Sequence, residues 1–354
     1  MGFNFIILPG KILIGKGIMQ HKIFMAQGKI FYQVLLVLIS LTCFLVGTGW
    51  SETYQFVLKW GSSGSVNGKF EDPEGVAVDS SGYVYVVDWG NNRIQKFTSK
   101  GIFVLSMGSE GSGDGQFEYP IGIAVDSSGY VYVTDFGNNR IQKFNSITGA
   151  FVLSWGSRGS GDGQFIAPVG IAVDSSGYVY VADSYNNRIQ KFNSTTGAFV
   201  TKWGSPGSGD GQLGDPEGIA VDSSGHVYVA DCVNNRIQKF NSTTGAFVTK
   251  WGSYGSGNGQ FKDIEGIAVD SSGNVYVGDG ADYGGSCRIQ KFTSTGTFIL
   301  SWGSNGSGNG QFGDPEGVAI DSSGYVYVAD GLYNRIQKFG HPKAMPWLPL
   351  LLGN

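Results

Sequence analysis

Histidine and cysteine are scarce in this sequence, with three of each among 354 residues. The histidines His21, His226 and His341 lie far apart in the chain. They offer neither a histidine trio for a catalytic zinc ion nor a base beside a serine nucleophile. Three cysteines are also too few for a zinc cluster or a disulfide framework. We therefore predict no metal site and no cofactor.

Charged residues make up only 15% of the chain, and the net charge is −4. The lysines of the recurring Ile-Gln-Lys-Phe segments are spread along the chain instead of clustered. Nucleic acid binding needs a basic patch that neutralises phosphates, so it is not predicted here. The 58 glycines and 14% aromatic residues are typical of turn-rich, aromatic-packed β-structure and not of disorder.

One unit is repeated six times along the chain. An aspartate precedes each Ser-Ser-Gly turn, at intervals of 47–51 residues: Asp79, Asp126, Asp174, Asp222, Asp270 and Asp321. Each unit holds four Val-, Tyr- or Phe-rich segments with strand character, joined by Ser-Ser-Gly, Asn-Asn and Thr-Gly turns. A four-stranded sheet of this size has two apolar faces and needs a neighbour on each side. We predict an all-β, six-bladed β-propeller of four-stranded antiparallel blades over residues 54–339.

The two ends of the repeat array are complementary. The segment Phe56–Trp60 matches a fourth strand but precedes the first complete unit, whereas the last unit stops after Arg335–Phe339 without a fourth strand. Pairing these two segments would close the ring and hide two exposed sheet edges. We therefore predict that strand 56–60 completes the last blade.

The segment PEGVAVDSSGYVYVVDWGNNRIQKF, residues 73–97, and its five copies resemble the NHL repeat family. The shared pattern is Pro-x-Gly-hydrophobic-Ala-hydrophobic-Asp, then Tyr-Val-Ala-Asp, then Asn-x-Arg-Ile-x-x-Phe. Two departures occur in the fifth unit, where Ile264 replaces the proline and GADYGGSC is inserted before Arg288. The resemblance implies a six-bladed propeller that serves as a binding platform. Some animal members bind RNA and one lineage is an amidating lyase, but the histidines of that lyase are missing here.

The N-terminal segment has the composition of an export signal. Residues 1–29 carry four lysines and no acidic residue, and the apolar run Ile30–Val46 follows. We predict that residues 1–49 are a signal peptide or an N-terminal membrane anchor, with a tether through residues 30–46. Met25 is an alternative start. The propeller would then be secreted or membrane-anchored at the cell surface, and residues 340–354 would form a short apolar tail.

Two repeated features are interpreted as scaffold. The second aspartate and the arginine of each unit recur with the same spacing, which favours a tie between the second and third strands over six active sites. These pairs are Asp88/Arg93, Asp135/Arg140, Asp183/Arg188, Asp231/Arg236, Asp279/Arg288 and Asp330/Arg335. The Gly-Ser-rich crossovers resemble calcium loops, but three of the six copies carry asparagine for aspartate, which favours a turn.

Function is predicted where the copies differ. The loops between the second and third strands and the residues before each first strand open on one face, here called the loop face. Aromatic anchors are predicted at Trp89, Phe136, Tyr185, Tyr283 and Tyr333. Carboxylates that select a cationic group are predicted at Glu74, Glu217, Glu265 and Glu316. With Asp72, Asp215, Asp263 and Asp314, these glutamates form what we call the acidic arc.

Cys232 and Cys287 occupy equivalent loops of adjacent blades. Disulfides persist in exported proteins, so a bridge between these two residues is a candidate. It requires that their Cβ atoms approach to about 4.5 Å.

These residues favour a non-enzymatic binding scaffold whose partner is a protein or a glycan at the cell exterior, and a monomeric state. The alternative is a metal-dependent, lactonase-like hydrolase that uses the carboxylates Glu74, Glu217, Glu265 and Glu316 at the mouth of the central channel.

Overall fold

The computed structural model describes residues 7–8, 11–12, 53–280 and 286–341. The chain divides into two units, residues 1–51 and residues 52–354, and in the first the two-residue strands Ile7–Leu8 and Lys11–Ile12 pair antiparallel. The predicted apolar run 30–46, the alternative start Met25 and residues 342–354 of the predicted tail lie outside the described residues. None of the described residues belongs to a helix with the length and apolarity that a membrane span requires.

The second unit contains six four-stranded antiparallel sheets, the blades, numbered here by repeat. The first strands are Pro73–Val78, Pro120–Val125, Pro168–Val173, Pro216–Val221, Ile264–Val269 and Pro315–Ile320. The second strands are Val84–Asp88, Tyr130–Asp135, Tyr178–Asp183, His226–Asp231, Val275–Asp279 and Val326–Asp330. First strands of neighbouring blades lie against each other around the whole ring, blade 6 against blade 1 included. The predicted six-bladed propeller is confirmed.

The third and fourth strands form the outer half of each blade. The third strands are Arg93–Phe97, Arg140–Asn145, Arg188–Asn193, Arg236–Asn241, Arg288–Phe292 and Arg335–Gly340. The fourth strands are Phe103–Met107, Phe151–Trp155, Phe199–Trp203, Phe247–Trp251, Phe298–Trp302 and, from the N-terminal side, Gln55–Trp60. One-turn 3-10 helices follow three of the second strands, at Trp89–Asn91, Ser184–Asn186 and Gly331–Tyr333.

Aromatic side chains fill the space between blades. Trp155, in the fourth strand of blade 2, packs on Phe192 in the third strand of blade 3, with ring centroids 5.9 Å apart. Lys191 of blade 3 crosses the next junction, where its Nζ donates to the Ser242 carbonyl oxygen at 3.0 Å. The same ammonium group lies 4.0 Å from the Tyr178 ring centroid, a cation–π distance. Each blade therefore supplies part of the core of its neighbour, as repeat architectures require.

Ring closure follows the predicted pairing. The strand Gln55–Trp60 pairs antiparallel with the third strand of blade 6, and Trp60 lies opposite Ile336 and Phe56 opposite Phe339. The Trp60 ring also contacts Phe97 of blade 1 at a centroid distance of 5.8 Å. The N-terminal strand therefore completes blade 6 and also packs against the next blade.

The repeated Asp/Arg pairs are scaffold, as predicted. In blade 3, Arg188 Nε donates to Asp183 Oδ2 at 2.7 Å, and the Asp183 side chain is fully buried. The backbone N–H of Ile166 and the side-chain amide of Gln190 donate to the same carboxylate. Arg188 also donates to the Gln164 carbonyl oxygen, which fixes the crossover. The pair therefore joins the second strand, the third strand and the crossover.

Candidate functional site

Backbone hydrogen bonds join the loops of the loop face to the segments that precede the first strands. The N–H of Trp89 donates to the Asp72 carbonyl oxygen at 3.3 Å. In blade 6, the N–H of Gly331 donates to the Asp314 carbonyl oxygen at 2.9 Å. The same bond joins Cys232 to Asp215 and Gly280 to Asp263, and blade 3 has the neighbouring bond from Tyr185 to Ile166. The residues that differ among the repeats are therefore presented on a rigid, hydrogen-bonded frame.

A β-bulge at the start of each first strand aims one side chain toward the ring axis. In blade 1 the pairing passes from Pro73 opposite Asp88 directly to Val76 opposite Val86, so Glu74 and Gly75 lie in the bulge. Bulges redirect side chains in this way. The same shift recurs in the other five blades. The redirected residues, here called the inner ring, are Glu74, Ile121, Val169, Glu217, Glu265 and Glu316.

The glycine of each Pro-x-Gly motif is required by this arrangement. A Cβ atom on Gly170 would collide with the backbone carbonyl oxygen of Glu217 in the next blade. Gly317 of blade 6 has the same relation to Glu74 of blade 1, which closes the circle. Inner-ring residues of adjacent blades therefore approach each other as closely as the backbone allows.

Glu217 is the carboxyl group with the clearest electrostatic perturbation. Burial raises its pKa to about 8, and the charges of Asp215 and Asp263 add to this rise. A hydrogen bond with Cys232 acts in the opposite direction, and the charge of Glu74 raises the pKa further. Glu74 lies three blades away, so these two side chains face each other across the ring axis.

Glu265 and Glu316, on adjacent blades, are coupled more tightly. Burial and the neighbouring acidic groups raise the pKa of both carboxyls well above the usual range. The two carboxyls lie in contact, and the charge of Glu265 is one cause of the raised pKa of Glu316. The structure thus brings all four predicted glutamates to the axis, and it gathers three of them into one acidic sector across blades 4 to 6.

The predicted aromatic residues differ in their surroundings. The Trp89 ring stacks on Tyr119 of the next blade, with centroids 5.0 Å apart. Tyr185 is 65% exposed, whereas Phe136 is partly buried. The guanidinium of Arg335 lies 5.1 Å from the Tyr333 ring, so this tyrosine also covers a scaffold ion pair. Tyr283 lies outside the described residues.

A cavity of about 390 Å³ opens on the loop face between blades 3 and 4. Its apolar walls are Tyr185 and Val233, which are 65% and 67% exposed. Asp215 of the acidic arc also lines the cavity, with Ser184 and Asn187. An exposed aromatic, an exposed aliphatic and a carboxylate thus meet in one concave site.

Comparison with known proteins identifies the repeat. A family model of the NHL repeat matches residues 70–97, 117–144, 165–192 and 213–240. Each matched segment ends with the phenylalanine of the third strand, and the blades they belong to are numbers 1 to 4. The protein is an NHL-type β-propeller.

The similar proteins match this NHL propeller either over a short stretch of sequence or in fold alone, at low sequence identity. An E3 ubiquitin-protein ligase, TRIM71 of Rattus norvegicus, is 44% identical over 50 residues, which are 14% of this chain and 6% of that protein. A protein of unknown function from Bacteroides thetaiotaomicron has a TM-score of 0.62 at 19% identity, over 81% of this chain and 75% of its own. A gluconolactonase from Xanthomonas campestris, XC5397, has a TM-score of 0.59 at 16% identity, over 78% and 88%.

The candidate disulfide of the NHL propeller is not formed, since Cys232 and Cys287 are both free thiols. Cys287 is fully buried between blades 5 and 6, where its Sγ donates to the Gly313 carbonyl oxygen at 3.4 Å. Cys232 turns toward Asp263 and Glu217, and burial raises the pKa of its thiol. The two cysteines are thus held at different blade junctions, and neither has the thiolate character of a reactive cysteine.

A second cavity of the NHL propeller, of about 420 Å³, was not predicted from the sequence. It lies at the Ser-Ser-Gly turns of blades 5 and 6, and the lining includes Asn274, Lys291 and Tyr54. The Tyr54 hydroxyl shares a hydrogen bond of 2.8 Å with the Tyr276 hydroxyl. Asn274 replaces the tyrosine or histidine of the other repeats, and this difference was the available signal.

Substitution of Glu217 by glutamine is expected to flatten the pH dependence of stability. An unfolded glutamate releases its proton near its ordinary pKa, whereas folded Glu217 keeps the proton up to about pH 8. The wild-type free energy of unfolding should therefore fall as pH rises through this window and stay level above it. In the variant, the decrease in the free energy of unfolding over this pH range should be smaller by about 1–3 kcal/mol.

Thermal unfolding between pH 5 and 9 in the presence of a chelator measures this difference. Glu118 is exposed on blade 2, so Glu118→Gln is the matched control and should follow the wild-type curve. If the Glu217 variant and the wild-type protein lost stability in parallel with rising pH, the buried protonated state of Glu217 would be refuted.

Proposed function

We propose that this NHL propeller is a non-enzymatic binding module that receives a basic side chain of a protein partner between blades 3 and 4. The cavity lined by Tyr185, Val233 and Asp215 carries the proposal. Lysine and arginine have long apolar stems and a charged head. The two exposed apolar walls fit such a stem, and the carboxylate fits the head.

The rest of the acidic arc supports a cationic ligand. Asp215 and Asp263 both lie close enough to Glu217 for their negative charges to raise its pKa, and no lysine or arginine lines the described cavity. A cluster of like charges raises the local concentration of opposite charge and speeds association. Trp89 stacked on Tyr119 gives a second apolar contact one to two blades away. Aromatic residues are frequent anchors of protein interfaces, which favours a protein over a glycan as the partner.

Replacement of Tyr185 and Val233 by alanine is expected to weaken the binding of basic peptides at least about tenfold, because interface anchors commonly contribute more than about 1.4 kcal/mol. Asp215→Asn should give a similar loss that shrinks at high salt. The measurement is fluorescence anisotropy with labelled peptides that carry one lysine or arginine beside apolar residues.

The matched control for these variants is Tyr254→Ala, because Tyr254 is also 65% exposed but lies in a crossover outside the cavity. This variant should bind the peptides as the wild-type protein does. Equal affinity of the wild-type protein and the Tyr185/Val233 variant would refute the assignment of the cavity.

A metal-dependent, lactonase-like hydrolase remains the second candidate. Glu217 favours it, because a carboxyl group with a pKa of about 8 at the centre of a ring can act as a general acid. The structural similarity to a gluconolactonase concerns the fold alone. Hydrolysis of gluconolactone by the wild-type protein, abolished in Glu217→Gln, would favour this candidate over the binding module.

The proposal includes export of a monomeric propeller, secreted or anchored at the cell surface. The lysine-rich residues 1–29 and the apolar run Ile30–Val46 support this location.

A further inference from the structure

We propose that Glu265, Asp314 and Glu316 form a binding site for one hard divalent cation at the junction of blades 5 and 6. One carboxylate oxygen from each residue lies within 4.8 Å of the others. Metal–oxygen distances of about 2.3–2.6 Å for calcium place ligand oxygens at such mutual separations. The site does not include the cavity between blades 3 and 4, and the inference does not rest on the proposed function.

An unsatisfied oxygen points to a missing ligand. Glu265 Oε2 is buried and has no hydrogen-bond partner among the described residues. A buried carboxylate oxygen without a donor costs free energy, and it is normally paired with a proton donor or a metal ion. Glu265 also contacts the carboxyl of Glu316. Two facing carboxylates repel each other unless a proton or a cation lies between them.

Two glycines provide the space for this cluster. A Cβ atom on Gly280 would lie 2.8 Å from both Asp314 Oδ1 and Glu265 Oε1. A Cβ atom on Gly331 would lie 3.2 Å from Glu316 Oε1 and 2.7 Å from Asp72 Oδ1. At the same repeat position the other blades carry Trp89, Phe136, Ser184 and Cys232. Only blades 5 and 6 therefore leave room at this position for carboxylates to converge.

The donor set selects the chemical class of the cation. All three side chains offer carboxylate oxygens, which suit calcium, magnesium and manganese better than zinc or copper. The ligands come from two blades, and the flexible coordination geometry of calcium fits such a set better than the strict octahedron of magnesium. Water or backbone oxygens would complete the coordination. A bound cation would neutralise the acidic sector and join blade 5 to blade 6.

The test is calcium titration of the chelator-treated full-length protein by calorimetry, with magnesium in a parallel titration and thermal melts of the same samples. We expect one cation bound per chain and a higher melting temperature with the cation. Glu265→Gln and Glu316→Gln should each weaken binding at least tenfold. Both variants should melt at or above the wild-type temperature without metal, because the repulsion between the two carboxylates is removed.

The variant Gly331→Ala tests the cation site independently, because it keeps every carboxylate but fills the space beside Glu316 and Asp72. It should weaken cation binding, whereas Glu118→Gln on blade 2 should leave it unchanged. If the wild-type protein bound neither cation saturably, or if the two glutamine variants bound as tightly as the wild-type protein, the proposal would be overturned.

Discussion

Replacement of Asp183 by alanine is expected to destabilise the propeller by about 3–5 kcal/mol, the range measured when one partner of a buried ion pair is removed. The Asp183 side chain is fully buried and its carboxylate accepts from Arg188 Nε at 2.7 Å. The variant leaves the guanidinium, the N–H of Ile166 and the amide of Gln190 without this acceptor. Chemical denaturation, followed by tryptophan fluorescence, measures the loss.

A second ion pair in the same repeat gives the control. Lys202 and Asp162 approach to 2.6 Å, but their side chains are 43% and 56% exposed. Exposed pairs contribute about 0–1 kcal/mol, because water and salt screen them. Asp162→Ala should therefore change the midpoint little. A loss no larger in Asp183→Ala than in Asp162→Ala would show that the buried pair is not a structural tie.

Local consequences should follow in the same variant. Asp183 is the last residue of the second strand, and Ser184 and Tyr185 of the candidate cavity come directly after it. Its carboxylate also accepts from Asn186 in the 3-10 helix that carries Tyr185. The scaffold pair thus positions the loop face.

Most of the fold was predictable because each blade repeats the same local rules. Four strand segments per unit, the turn residues and the unpaired segment 56–60 were enough to give the blade count and the ring closure. The role of the Asp/Arg pairs also followed from repetition alone. A residue type that recurs in every blade at the same spacing indicates a structural role that is common to all blades.

The candidate site was harder to predict because it depends on pairs of blades. The four glutamates were found at a position that varies among the repeats, but the cavity required Tyr185 of blade 3 and Val233 of blade 4 to face each other. Tyr119 was missed because its contact, Trp89, belongs to the preceding blade. Gly280 and Gly331 were not predicted as site residues, because a glycine contributes only space, and each space is shared by one carboxylate of the same repeat and one of the next.

The disulfide prediction failed for a related reason. Cys232 and Cys287 occupy equivalent loops, but Cys232 directly follows the second strand, whereas Cys287 directly precedes Arg288 of the third strand. Cys287 has a φ of 47°, in the left-handed region that asparagine occupies in the other five blades. Its thiol is buried against blade 6 instead of turned toward blade 4. Equivalent loops therefore did not place the two cysteines at equivalent positions.

Deletion of the ring-closing strand, residues 53–60, is expected to abolish the closed six-bladed fold. The strand supplies Phe56 and Trp60, which pack on Phe339, Phe97 and Tyr327. Truncation of a fully buried aromatic residue costs about 3–5 kcal/mol, and Phe56 and Trp60 are partly buried, so loss of both together with the strand pairing removes a large part of the stability of a typical domain. The third strand of blade 6 would also become an exposed edge, which favours aggregation.

Two arms of this experiment separate ring closure from a general effect of shortening the chain. A protein that starts at residue 53, with the strand retained, should keep the oligomeric state and the cooperative melting of the full chain. Addition of a synthetic peptide of residues 53–61 to the deleted protein should restore the melting transition, because antiparallel pairing with Arg335–Gly340 needs no covalent link. A deletion protein that was monomeric and melted at the temperature of the closed ring would contradict the stabilising role assigned to this strand. In that outcome, five complete blades and one three-stranded blade would suffice for a stable ring.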